Sequence, residues 1–312
     1  MWHQTAIRLK EQYSKVSIGN LCNLFGKTRH AYYDRIWNNK VQYENEEIVI
    51  EMLRELKRDI PGAGIPTIYL LLRQPLLSHG IKIGRDAIQE LRIRYGLIER
   101  PRRRYISTTD SYHRFNKYPN IIKTLKVKAP CELWVSDITY IRVGNDFNFL
   151  SLVTDAYSRK IIGYCLYPTL AKDGPLSALK MAIQSLDYPA ERLIHHSDRG
   201  IQYCCDAYVN ELNTYGIEIS MTEKGDPYEN AIAERVNGIL KQTFGLKETF
   251  FNREDALKKI TKAIYLYNNV RPHTGIGLLT PTQAHQMNGE IKRRWKTKTY
   301  KAKQKSKSNE RN

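Results

Sequence analysis

Trp134-Val135-Ser136-Asp137-Ile138-Thr139-Tyr140-Ile141 reads as a β-strand with a charge in its interior. Aromatic and β-branched residues fill it, as they do strands that pack on a half-buried surface. The strand is expected over Trp134–Val143, and Gly144-Asn145 after it is a hairpin turn signal. Phe147–Val153 is the second strand, Tyr157-Ser158-Arg159 the next turn, and Ile161–Tyr167 the third strand. A helix follows with Leu176, Leu179, Met181, Ala182 and Leu186, then a strand over Arg192–His196 and a helix over Ala207–Tyr215. Ile217–Met221 makes a fifth strand, and residues 230–244 and 253–268 read as helices. A meander followed by alternating helix and strand gives an α/β fold: a mixed sheet with helices on its faces.

Asp137 needs a physical reason, because aspartate is depleted from strand interiors and costly to bury. Asp198 ends the run Leu193-Ile194-His195-His196-Ser197-Asp198, at the strand end where α/β sheets place their sites. Glu234 comes from a helix whose apolar face is Ile232, Val236, Ile239, Leu240 and Phe244, while Glu234, Asn237, Gly238 and Lys241 lie on another. Three carboxylates from three elements suit a pair of divalent cations, and Mg²⁺ above all, which prefers oxygen ligands. Such a site serves in-line displacement at phosphorus, with water or a DNA 3′-hydroxyl as nucleophile. Each acid also has a plainer reading: a strand-edge pair with Arg for Asp137, a turn residue for Asp198, a surface pair with Arg235 or Lys241 for Glu234. Asp155 is assigned to the turn after the second strand.

The chain has 312 residues and a net charge of +18, from 50 Lys and Arg against 32 Asp and Glu. That excess favours a polyanionic partner. No apolar segment approaches the roughly 18 residues that span a bilayer, and no secretory signal is visible, so a cytoplasmic protein without a membrane partner is expected. The five cysteines are Cys22, Cys131, Cys165, Cys204 and Cys205. An odd count without Cys-x-x-Cys implies reduced thiols, and the vicinal His195-His196 and Cys204-Cys205 pairs do not match structural zinc spacing.

Residues 1–45 read as a helix-turn-helix-like segment, with a helix ending at Gly26 and a second beginning at Thr28. Residues 46–105 read as a second such domain, broken at Pro61-Gly62-Ala63-Gly64. Its last helix, Asp86–Tyr95, is the candidate DNA reader, with Lys82, Arg85, Arg92 and Arg94 on or beside it. Arg102, Arg103 and Arg104 are candidate phosphate contacts at the start of a connector, which runs as a basic and polar linker over 106–128. The catalytic domain is expected over 129–290. Residues 291–312 hold ten Lys or Arg against one Glu and read as a flexible basic tail.

Four segments together resemble one family. They are Trp134-Val135-Ser136-Asp137-Ile138-Thr139-Tyr140, His196-Ser197-Asp198-Arg199-Gly200-Ile201-Gln202-Tyr203, Asp226-Pro227-Tyr228-Glu229-Asn230-Ala231-Ile232-Ala233-Glu234-Arg235, and Tyr267-Asn268-Asn269-Val270-Arg271-Pro272-His273 with Thr280-Pro281 after it. The chain resembles OrfB-type transposases of the third insertion-sequence family, within the retroviral-integrase-like DDE superfamily. Thirty-five residues separate Asp198 from Glu234, and Lys241 follows the Glu by seven, as that family requires. The resemblance implies a ribonuclease H-like catalytic core with Asp137, Asp198 and Glu234 as catalytic metal ligands, and Lys241 on terminal DNA. It implies Mg²⁺ as two ions, with Mn²⁺ as a substitute, cleavage at transposon ends and 3′-hydroxyl strand transfer. The implied partners are double-stranded DNA, both transposon ends and target, further copies of the chain, and an OrfA-type upstream product. No sustained heptad is present. The alternatives are a DNA-binding regulator with an inactive core, and a ribonuclease H-like nuclease that hydrolyses without joining.

Overall fold

The computed structural model describes residues 2–98, 114–186, 192–223 and 230–292. Arg102, Arg103, Arg104 and nearly all of the basic tail lie outside the described residues. The chain divides into two compact units, residues 1–100 and 101–312.

The first unit is helical: α1 (Trp2–Gln12), α2 (Ile18–Asn23), α3 (Arg29–Asp59), α4 (Ile65–Ser78) and α5 (Arg85–Arg94). Ser17 caps α2 by accepting from the Asn20 N–H at 3.2 Å, and Thr28 caps α3 by accepting from the Ala31 N–H at 3.1 Å. Gly26, at φ 62°, supplies the turn between them. The expected boundary at 45/46 falls inside α3, which runs unbroken for 31 residues. No Gly or Pro interrupts residues 27–60, so nothing stops the helix there. Ala6, Cys22 and Tyr32 form a small core at one end of α3. At the other end Val49, Ile50 and Leu53 are buried, as are Ile68 and Leu72 of α4 and Ile88 and Leu91 of α5.

The second unit contains β1 (Leu133–Val143), β2 (Asp146–Asp155), β3 (Ile161–Tyr167), α6 (Asp173–Gln184), β4 (Ile194–Ser197), α7 (Ile201–Cys204), α8 (Asp206–Thr214), β5 (Glu218–Met221), α9 (Ala231–Thr243), β6 (Thr249–Phe250), α10 (Arg253–Asn269) and α11 (Pro281–Ala284). The strand order is β3-β2-β1-β4-β5, with β6 pairing the end of β1. The first three strands are antiparallel, and β4, β5 and β6 are added in parallel. A three-stranded meander extended by helix-linked parallel strands is the ribonuclease H-like arrangement. β6, two residues long, was not expected from the sequence. Gly163 of β3 lets α6 lie close: a Cβ there would stand 3.0 Å from the Ala182 backbone nitrogen and nearer still to the Ala178 carbonyl oxygen.

The segment 119–127, expected within a linker, is fastened to this unit. The Ile121 N–H donates to Ser220 Oγ at 3.2 Å, and Lys123 pairs with Glu223 at 2.6 Å. Ile122, Leu125 and Val127 pack against Leu133 and Val135. Its apolar residues bury on the sheet, so it cannot swing free.

Candidate active site

Alternate residues of β1 face opposite sides of the sheet. Trp134 and Ile138 join the core formed with α6 and α8, while Leu133 and Val135 pack with Ala233 of α9. By parity Asp137 belongs to the α9 side. β1 and β4 are parallel, with Leu133, Trp134 and Val135 opposite Ile194, His195 and His196. Two further steps in that register bring Asp198, one residue past the end of β4, level with Asp137. Neighbouring strands lie about 4.8 Å apart, so the two acids project side by side where β4 stops.

Each carboxylate is held. Asp137 Oδ1 accepts from the Ile138 N–H at 2.9 Å, and its Oδ2 accepts from Asn237 Nδ2 at 2.8 Å. Asp198 Oδ1 accepts from the Gly200 N–H at 2.9 Å. A Cβ on Gly200 would stand 3.0 Å from that oxygen, so glycine lets the loop close on it. Burial pushes the Asp137 carboxyl up to about 7, and the charges of Asp198 and, least, Glu234 push the same way. The hydrogen bonds from Asn237 and Ile138 oppose that rise.

α9 lies over β1 through one face. Asn230 Nδ2 donates to the Ser136 carbonyl at 3.0 Å, Asn237 donates to Asp137, and Lys241 Nζ sits 3.6 Å from the centre of the Tyr140 ring. Residues 230, 234, 237 and 241 share that face by helical spacing. Glu234 is exposed there, and partial burial raises its carboxyl. Among the described residues no three His, Cys, Asp or Glu side chains close on one metal-sized point. The structure thus brings Asp137 and Asp198 together and sets Glu234 on the facing helix, acting on Asp137 through its charge. The donors are all carboxylate oxygens, the set a hard divalent cation prefers. Buried polar capacity remains beside them: Asn237 Oδ1 and Tyr203 Oη have no hydrogen-bond partner. Asp137 and Asp198, with the open Asn237 Oδ1 beside them, therefore fit such an ion, while Glu234 stands apart from them on α9.

Comparisons with known proteins give the family. The integrase core domain family matches residues 127–227, and a second family of the same description matches 215–281. A 31 kDa protein of insertion element IS600 from Shigella sonnei is 34% identical over 277 residues, covering 86% of this chain and 99% of the relative. The transposase InsF of insertion sequence IS3A from Escherichia coli K12 is 31% identical over 199 residues, 62% of this chain and 68% of InsF. This chain belongs to the insertion-sequence transposases with an integrase core. Among solved structures, the magnesium complex of the HTLV-2 integrase catalytic core is 20% identical at a TM-score of 0.41, covering 50% of this chain and 97% of that one. The integrase core domain and the transposase relatives make the protein a DDE polynucleotidyl transferase of DNA, and its core family depends on a divalent metal.

The expected DNA contacts divide. Lys82 and Arg85 of the transposase are exposed. Arg92 is not available to DNA: it is buried, donating to the Ala63 carbonyl and to Gln89 Oε1, each at 3.3 Å. Its helical phase, shared with Ile88 and Leu91, turns it inward. Arg94 pairs with Glu46 at 2.9 Å while staying solvent-exposed. Lys241 is partly desolvated, which pushes its amine down to about 8; Asp137 pulls it up and Lys247 pushes it down.

Sequence reading missed three roles. Asn237 was visible on the Glu234 face, but its bond to Asp137, 100 residues away, was not. Asn230 is a helix-start residue that also grips β1. Asp155, expected in the turn after the second strand, is instead the last residue of β2 and fully buried, accepting from the N–H groups of Cys131 at 2.8 Å and Ser158 at 2.7 Å, with His285 at 3.7 Å. His195 and His196 are engaged by hydroxyls rather than set for zinc: His195 by Ser136 and Tyr208, His196 by Ser220.

Among the described residues no helix is long and apolar enough to cross a membrane.

Proposed function

We propose that Asp137, Asp198 and Glu234 hold Mg²⁺, as two ions replaceable by Mn²⁺, and that the transposase cleaves the ends of its element and joins the freed 3′-hydroxyls to target DNA. The observation that carries this reading is the level pair Asp137 and Asp198, with the Asp137 carboxyl pushed up to about 7 by burial and by its neighbour. When bound, the cations neutralise the phosphate, acidify the attacking oxygen and stabilise the leaving one. The chain's own residues orient the site. Asn237 and the Ile138 N–H fix both oxygens of Asp137, and the Gly200 N–H fixes Asp198. Glu234 supplies the third carboxylate from α9, and Lys241, one further helical stretch along the same face, meets a DNA phosphate.

In the first reaction water attacks a phosphodiester at the element end, the P–O3′ bond breaks, and the leaving oxygen takes a proton as a 3′-hydroxyl. In the second, that hydroxyl loses its proton and attacks a target phosphodiester, forming one P–O bond as another breaks. Lys82 and Arg85, both exposed, add phosphate contacts from the helical unit in this reading. The working form is a homo-multimer on two DNA ends, with an OrfA-type upstream product as a further component.

Labelled terminal-repeat DNA incubated with the full chain and Mg²⁺ tests this. Cleaved and joined strands are expected, both lost in Asp137→Ala and Asp198→Ala. Joined product surviving either substitution refutes the assignment, and hydrolysis without joining makes the protein a nuclease.

A further inference from the structure

The middle of α3 is bare. From Tyr33 to Glu44 every side chain described is exposed, though α3 is anchored by Tyr32 in one small core and by Val49, Ile50 and Leu53 in another. Tyr33, Ile36, Trp37, Val41 and Tyr43 are 47%, 40%, 67%, 37% and 69% exposed. At about 100° per residue they fall on one stripe, less than half the helix circumference wide. Five large apolar side chains in one stripe are more than scattered surface residues and mark an interaction face. A groove between His3 and Ile7 of α1 and Ile36, Lys40 and Tyr43 of α3 borders it.

Two things identify the occupant. Residues 33–47 carry Arg35 and Lys40 against Asp34, Glu44, Glu46 and Glu47, a net −2 in a chain of +18. An acidic stretch repels phosphates, so the face suits protein rather than DNA. Between Tyr33 and Glu44 the charged residues on the stripe are Lys40 and Glu44, of opposite sign and one helical turn apart, 3.9 Å from each other, with Glu47 in phase one turn further on. We infer that this stripe pairs antiparallel with the same stripe of a second copy of the chain. A two-fold axis sets residue i against j and j against i. Lys40 then meets the partner's Glu44 and Glu44 meets the partner's Lys40, with the aromatic residues packed around them. Parallel pairing would set like charges together. The pairing needs neither metal nor the catalytic acids, so it stands or falls separately from the proposed chemistry.

The test is the association state of the full chain without DNA, by sedimentation equilibrium, for wild type, Lys40→Glu, Glu44→Lys, Trp37→Ala and an equimolar mixture of the two charge variants. Circular dichroism verifies that these exposed substitutions leave the helix folded. Wild type is expected to dimerise, each variant to dissociate at least about tenfold more readily, and the mixture to regain wild-type affinity because its charges are complementary again. A monomeric wild type, a dimer indifferent to all three substitutions, or a mixture no tighter than its components overturns the inference.

Discussion

Replacing Asn237 by Ala removes the Nδ2–H that meets Asp137 Oδ2 at 2.8 Å. The Ile138 N–H on Oδ1 is retained. A hydrogen bond to a charged group contributes about 1.5–3 kcal/mol, which at about 1.4 kcal/mol per decade is roughly tenfold to a hundredfold. Partners of metal-ligating groups typically show losses of about that size in metal affinity or activity. The loss has a direction: Asn237 steadies the ionised carboxylate, so its removal lets Asp137 protonate and rotate. The Mg²⁺ concentration giving half-maximal strand joining is therefore expected to rise about 10–100-fold in Asn237→Ala, with much of the rate recovered at saturating metal. Asp137→Ala, by contrast, is not rescued by metal. The assay is the joining rate of labelled terminal-repeat DNA against Mg²⁺, with thermal melts confirming the fold. An unchanged metal dependence, or a rate loss that no Mg²⁺ concentration repairs, refutes a positioning role for Asn237.

Three other perturbations follow from the structure. Burial alone would raise the Asp155 carboxyl, but the hydrogen bonds from His285, Ser158 and the Cys131 N–H outweigh it and hold the group below its ordinary 3.8, so its stabilisation is present above that value and disappears as pH falls further. Asp155→Asn should cost about 1.5–3 kcal/mol in urea melts at pH 7, and the gap to wild type should narrow in acid below pH 3.8; a gap independent of pH contradicts this. Lys241, pushed down to about 8, loses its charge as pH rises, so wild-type DNA affinity should fall between about pH 7 and 9 while Lys241→Arg, charged throughout, holds its affinity in filter-binding assays. Gly163→Ala places a methyl against the α6 backbone, which cannot yield as a side chain can, and a loss of about 1–3 kcal/mol or more is expected by calorimetry.

The meander was legible because three signals coincide there: a period of two, the Gly144-Asn145 turn and the Tyr157-Ser158-Arg159 turn. Asp137 was legible as a charge inside a strand, and Asp198 as a charge at the end of one, where α/β sheets place their sites. What hid was set by contacts distant in sequence. β6 is two residues whose only reason to be extended is the pairing with Arg142 and Val143. Ile121, Ile122, Leu125 and Val127 keep to no single period along 119–127, yet Ile122, Leu125 and Val127 pack on the sheet. The unbroken α3 was readable in principle, since no Gly or Pro interrupts residues 27–60, and the expected boundary at 45/46 had no helix-stopping residue behind it. Arg92 was readable too, being in phase with Ile88 and Leu91.

The pairing of Asp137 with Asp198 depends on β1 and β4 staying in register, and the device that fixes them lies on the other face of the sheet. Ser136 Oγ and Tyr208 Oη meet His195 Nε2 at 2.7 and 2.9 Å, tying β1, β4 and α8 through one ring. Burial, with His196 beside it, pushes the His195 imidazole down to about 3, so the ring is neutral wherever the enzyme works. That neutrality has a consequence for the acids. An imidazolium at this point would lie under Asp137 and offset part of its charge, weakening the attraction for an external cation. A neutral ring aligns the strands by hydrogen bonds alone and leaves the electrostatic demand of the two carboxylates to be met from outside. Alignment and charge are thus supplied by different faces of the same strand: Ser136 turned inward for register, Asp137 turned towards α9 beside Asp198.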